Sequence, residues 1–105
     1  MKERRPLFVA VAEVDLHFPG AQSLKDKRQD LRSLIERLRH RLTVLVIETA
    51  FQDLHQRGRI AISSLATDAG AAQGTVARAL DVVSERFPGV VLAERISVVQ
   101  ITEEA

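Results

Sequence analysis

His17-Phe-Pro-Gly-Ala-Gln-Ser-Leu-Lys-Asp-Lys-Arg28 reads as the end of a strand, a turn, a helix cap and the first turn of a helix. Pro19-Gly20 breaks whatever precedes it. Ser23-Leu-Lys-Asp26 is a capping box, in which the Ser hydroxyl accepts from the Asp26 N–H and the Asp side chain reaches back toward the cap. Asp is shorter than the usual Glu or Gln, so the reciprocal half is the weaker one. Lys25, Lys27 and Arg28 then follow at the positive end of the helix dipole, where a cation is disfavoured by roughly 0.3–1 kcal/mol. Helix propensity does not account for them. Their positions on the helix, and what surrounds it, must.

Before this junction, residues 7–16 alternate. Phe8, Ala10, Ala12, Val14 and Leu16 fall on one face, and Leu7, Val9, Val11, Glu13 and Asp15 on the other, which predicts a strand with one fully apolar face. After it, the period changes. Leu24, Leu31, Leu34, Ile35, Leu38 and Leu42 fill an arc of about 100° on a helix running to about Leu42. Arg28, Arg39, Arg32 and Lys25 follow immediately beside that arc as a basic stripe. Lys27 falls inside the arc, so it must snorkel or meet a carboxylate, with Glu13, Asp15 or Glu48 as suppliers.

Residues 43–49 are rich in β-branched side chains and predict a second strand. Residues 51–58 are polar, end in Gly and read as a connecting loop with at most a helical turn. Residues 59–65 read as a third strand, close enough in sequence to form an antiparallel hairpin with the second. Asp68 or Thr67 caps a second helix to about Arg86, with Ala69, Ala72, Val76, Ala79, Leu80, Val83 and Phe87 on its apolar face. Pro88-Gly89 stops it. Residues 90–101 form the last strand, with Val90, Leu92, Ile96 and Val98 on one face and Val91, Ala93, Val99 and Ile101 on the other.

The order β-α-β-β-α-β, with two right-handed crossovers flanking a hairpin, predicts an α+β fold: a ferredoxin-like plait, a four-stranded antiparallel sheet with two helices on one face. Leu7, Val9 and Val11 make the helix-free face apolar. Such a face marks an interface, here a homodimer or another partner; the plainer alternative is ordinary scatter of surface apolar residues.

The 105 residues suit a single domain, with residues 1–6 as a basic N-terminal arm and 102–105 as a C-terminal tail. There is no Cys, hence no disulfide and no thiolate metal site. No apolar run approaches the ~20 residues of a membrane span, and no signal-peptide pattern opens the chain, so a cytoplasmic location is expected. The net charge of +1 hides an asymmetry: residues 1–59 carry 12 Lys/Arg against 8 Asp/Glu, and residues 60–105 carry 3 against 6. The basic half contains the stripe.

Lys25, Arg28, Arg32 and Arg39 suit phosphate contacts, which give affinity and salt dependence but read no sequence. The plainer reading is a solvated flank with local pairs such as Arg32–Glu36. There is no Tyr or Trp, and Phe8 points toward the helices, so the base stacking of RNA-recognition plaits is not expected. His17, His40 and His55 lack metal-ligand spacing. Asp15, Glu48 and Asp53 lie near strand ends with no nucleophile beside them. They are expected to pair with Lys27, Arg28 or Arg57 rather than to catalyse. No catalytic residue, metal or cofactor is therefore assigned, and the reading leans away from an enzyme.

His17-Phe-Pro19 followed by Ser23-Leu-Lys-Asp-Lys-Arg28 resembles the signature of the YlxP-like family (domain of unknown function 503), a His-x-Pro turn followed by Ser-Leu-Lys-x-Lys-Arg. Glu48 followed by Gln52-Asp-Leu-His-Gln-Arg57 resembles the family's Gln-Asp-Leu-Trp-Gln-Arg, with His55 where a Trp is usual, and Arg39-His-Arg41 resembles its Arg-x-Arg helix end. The resemblance covers about residues 7–101. It implies a ferredoxin-like fold, small bacterial cytoplasmic dimers, genes that often neighbour those for translation initiation and ribosome maturation, and no established activity. It marks His17, Pro19, Ser23, Lys27, Glu48, Asp53, Gln56 and Arg57 as motif positions, structural or functional. The combined expectation is a dimeric module that binds RNA or a ribosomal particle through the basic stripe. The alternative is a dimeric regulatory or scaffold module whose open sheet face and 50–58 loop take protein or a small ligand.

Overall fold

A computed structural model describes residues 4–102, so residues 1–3 of the basic arm and 103–105 of the tail lie outside the described residues. The elements are β1 (Leu7–His17), α1 (Leu24–Arg41), β2 (Leu45–Ala50), β3 (Arg57–Ala66), α2 (Ala69–Arg86) and β4 (Val90–Ile101). The sheet order is β2-β3-β1-β4, every neighbouring pair antiparallel. This is the ferredoxin-like α+β plait, with both helices on one face.

The alternation of β1 decides which face is covered. Ala10, Ala12, Val14 and Leu16 are fully buried, together with Ile60 and Ile62 of β3 and Val46 of β2. Leu31, Leu34 and Leu38 of α1 and Ala72, Val76, Ala79, Leu80 and Val83 of α2 close over them. The small residues of α2 let it lie close to the two central strands.

Ser23 caps α1, its hydroxyl accepting from Asp26 N at 3.1 Å. The Asp26 carboxylate overshoots the cap and accepts from Gln22 N at 3.0 Å, so the reciprocal half of the box falls one residue early. Asp68, rather than Thr67, caps α2 by accepting from Ala71 N at 2.8 Å.

Two strand starts differ from the sequence reading by two residues, and one phase differs. β3 begins at Arg57 because His17 and Leu16 of β1 pair with Arg57 and Gly58, beyond the reach of β2. β2 begins only at Leu45, opposite Ser63. In β4 a bulge shifts the register between Asp15 and Leu16, so that Asp15 faces Ala93 while Leu16 faces Val91. The extra residue reverses the side-chain phase. Val91, not Leu92, therefore joins Ile96 and Val98 against the core, and Val90 and Leu92 are exposed.

Gly89 is the one glycine that the packing demands. A Cβ there would overlap the His17 carbonyl and fall 2.7 Å from the Phe87 ring. No helix of the described residues is long and apolar enough to cross a membrane.

Candidate functional site

β1 and β2 end, and β3 and β4 begin, at the same end of the sheet, so the β1–α1 turn, the β2–β3 loop and the α2–β4 turn meet there. Most positions of the two sequence motifs converge on this end. Phe18 N donates to Gln56 O at 2.9 Å, and Gln56 Nε2 donates to Ala21 O at 3.2 Å. Pro19 stands in a tight turn closed by Ala21 N donating to Phe18 O. Below it, Phe18 packs edge-on against Phe87, ring centroids 4.9 Å apart.

Lys27 organises the junction. Its side chain is 1% exposed, and Nζ lies 2.8 Å from Phe51 O, 3.1 Å from Arg57 O, 3.3 Å from Glu48 Oε2 and 3.5 Å from Gln52 O. Of the three carboxylates open to it, Glu48 is the partner. The other three acceptors are main-chain carbonyls, delivered by a loop that turns through Phe51 at φ 65°. That left-handed residue is unusual for a non-glycine side chain. Its ring lies beneath the Arg57 guanidinium, 4.5 Å from carbon to centroid, with Arg59 at 5.2 Å. Arg57 Nε is buried without a hydrogen-bond partner, its stacking face turned to Phe51 instead.

The remaining sequence candidates fall differently. Asp15 meets neither Lys27, Arg28 nor Arg57 but is held by two Arg59 nitrogens, Nε and Nη2, the latter at 3.2 Å. The hydrogen bond from Arg59 holds the Asp15 carboxyl below its ordinary value and raises the guanidinium's. Their pairing needs the strand register Asp15↔Arg59, which no local pattern reveals. Asp53 and His55 are exposed on the loop and form no ion pair among the described residues. His17 is half-buried and holds the sheet through its backbone register with Arg57 and Val90; among the described residues its side chain makes no hydrogen bond. Among the described residues no three His, Asp or Glu side chains gather in a metal-holding group.

The basic stripe survives as a surface. Arg28, Arg32 and Arg39 line one groove of about 400 Å³, floored by Leu31 and Ile35 and shared with Glu36. Lys25 is exposed one turn before it. No ion pair among the described residues engages Lys25, Arg28 or Arg32, so the expected Arg32–Glu36 pair does not form. Arg39 is partly committed: Nη2 donates to Val46 O at 3.1 Å, on the free edge of β2. That contact fixes one end of the groove, as Lys27 fixes the other by clamping the start of α1 to the β2–β3 loop. None of the four Phe residues offers a free ring to a base: Phe18 and Phe87 are buried, Phe8 packs against the core, and Phe51 lies beneath Arg57.

The family described as "Protein of unknown function (DUF503)" matches residues 9–96. No curated protein matches the chain. Among solved structures, the de novo designed protein Ferredog-Diesel is similar at 9% identity and a TM-score of 0.48, over 92% of this chain and 89% of that one. The de novo designed protein Foldit4 is similar at 13% identity and a TM-score of 0.43, over 93% and 99%.

Proposed function

This chain belongs to the DUF503 family of proteins of unknown function, and within it we propose a cytoplasmic binding module that takes RNA or a ribosomal particle on the α1 groove. The observation that carries this is the set of three arginines, Arg28, Arg32 and Arg39, on one groove, none of them in an ion pair among the described residues and only Arg39 in a hydrogen bond. Guanidinium groups with free donors suit phosphate oxygens, and the helix spaces Arg28 and Arg32 about 6 Å apart along its axis. With no free aromatic ring beside the stripe, the contact follows backbone charge and shape rather than base identity.

The test is a salt series. Binding of a labelled single-stranded RNA, read by fluorescence anisotropy, should weaken with salt at a log–log slope of about −2 to −3, as three or four phosphate contacts require. Arg28→Glu combined with Arg32→Glu should abolish it. A flat salt dependence, or binding that survives the double variant, overturns the reading.

A second reading concerns the sheet face that no helix covers. Leu45, Ile47, Leu65, Val99 and Ile101 are exposed there. This favours a second copy of the chain or a protein partner on that face, in a regulatory or scaffold role that would also use the 50–58 loop.

A further inference from the structure

At the end of the sheet opposite the Lys27 junction, β3 outruns its neighbour. β2 begins at Leu45, opposite Ser63, whereas β3 continues to Ala66. Ser64, Leu65 and Ala66 pair with Ala10, Val9 and Phe8 of β1 on one side and have no strand on the other. A cavity of about 480 Å³ occupies that notch, between the α1–β2 turn, the end of β3 and the second turn of α2. This volume is within the range of about 300–1,000 Å³ typical of small-molecule sites.

The lining has a consistent chemistry. Arg41 and Arg78 supply two positive charges, Thr43, Ser64 and Thr75 supply hydroxyls, and no carboxylate contributes. Arg41 makes no hydrogen bond or ion pair among the described residues. Its place in the last turn of α1 suits the helix dipole, but Arg78 sits in the middle of α2, where the dipole gives no reason for it. The Arg78 side chain folds back over its own helix, Nη1 lying 3.6 Å from where a Cβ on Gly74 would stand. Its one hydrogen-bond partner is the neutral Thr75 hydroxyl, at 3.2 Å. Ser64 is buried at 7% exposure, yet no hydrogen bond within the described residues engages its hydroxyl. Arg57 Nε is the one buried side-chain polar atom without a partner among the described residues, so the Ser64 hydroxyl keeps accessible surface and is open to the cavity that the two arginines share.

We propose that this notch is a binding site for a small organic phosphate, separate from the α1 stripe. Arg41 and Arg78 pair with the phosphate, the Ser64 and Thr43 hydroxyls donate to its oxygens, and the neutral body of the ligand lies along Leu42 and Val44, which also line the notch. Guanidinium forks match phosphate geometry better than a point charge does.

The test is a titration of the full chain, labelled with nitrogen-15, against inorganic phosphate and against AMP to about 10 mM at constant ionic strength. Saturable amide shifts should appear at residues 43–45, 63–65 and 75–78, with AMP the tighter ligand. Arg78→Ala, and independently Arg41→Ala, should each weaken AMP by at least about tenfold. Both positions are exposed on helices, and an unchanged melting temperature certifies the fold of each variant. A single-stranded RNA added in a parallel arm should move the α1 amides and leave the notch unmoved. The proposal is overturned if neither ligand gives saturable shifts, if both variants bind AMP as the native chain does, or if AMP moves only the amides of residues 25–39.

Discussion

Lys27 Nζ has three protons and faces four oxygens, three of them main-chain carbonyls of residues 51–57 and one the Glu48 carboxylate. Burying an ammonium costs several kcal/mol unless such partners replace its water. Here they do, and in return the loop is held in one conformation. Lys27→Met keeps the length of the side chain but strips all four acceptors of their donor. It should destabilise the fold by about 3 kcal/mol in urea unfolding, the low end of what breaking a buried pair costs, because Glu48 is 25% exposed and water reaches it. Amide exchange in residues 51–57 should accelerate more than exchange in β1; equal acceleration would contradict a local clamp. Asp15 gives a pH test. Its folded carboxyl titrates below its ordinary value of 3.8 because Arg59 donates to the charged form. A depressed folded value contributes stability that is present above the unfolded value and lost as pH falls through the folded one. The stability gap between the native chain and Asp15→Asn should therefore be open at pH 7 and shrink as pH falls below 3.8 toward the folded carboxyl's titration; a gap that stays constant on acidification refutes the pairing.

At the scale of elements, a capping box and a change of hydrophobic period placed the start of α1 to the residue, because both signals are local. Ser23→Ala should cost about 1 kcal/mol in thermal or chemical unfolding. A loss of less than a few tenths would mean that the Lys27 side chain, one turn into the helix, holds the helix start alone. Long-range pairing was not legible in the same way. The start of β3 at Arg57 depends on β1, the bulge at Leu92 depends on where Leu16 finds Val91, and each inverts or extends a pattern that the strand's own residues suggest. The candidate site divides along the same line. The stripe Arg28, Arg32 and Arg39 is a property of one helix and was readable on the wheel. The carbonyl cage around Lys27, the Asp15–Arg59 pair, the Arg39 contact with Val46 and the notch beside Ser64 are properties of register and loop closure, which the linear sequence encodes only through the whole fold.

At the scale of the whole molecule, the helix-free face is the largest feature that the chain leaves unanswered. Four strands about 4.8 Å apart and about ten residues long present a face on the order of 700 Å², close to the ~800 Å² per partner of a stable interface. Its two halves differ. Leu45 at 72% exposure, Leu65 at 69% and Ile47 at 62%, with Val99 and Ile101, make one half apolar. Glu13–Arg95 and Asp15–Arg59 occupy the other as closed ion pairs, so the face carries no net charge from them. A polyanion gains nothing there, whereas a second copy meets no repulsion and can bury both apolar halves about a two-fold axis. Light scattering at about 100 µM should then report a dimer, and the melting temperature should rise with protein concentration as mass action requires. Leu65→Glu places two carboxylates in such an interface, one from each copy, and should give a monomer with the circular dichroism of the native chain. A native chain that is monomeric at this concentration, or a Leu65→Glu variant that remains a dimer, removes the second copy from this face.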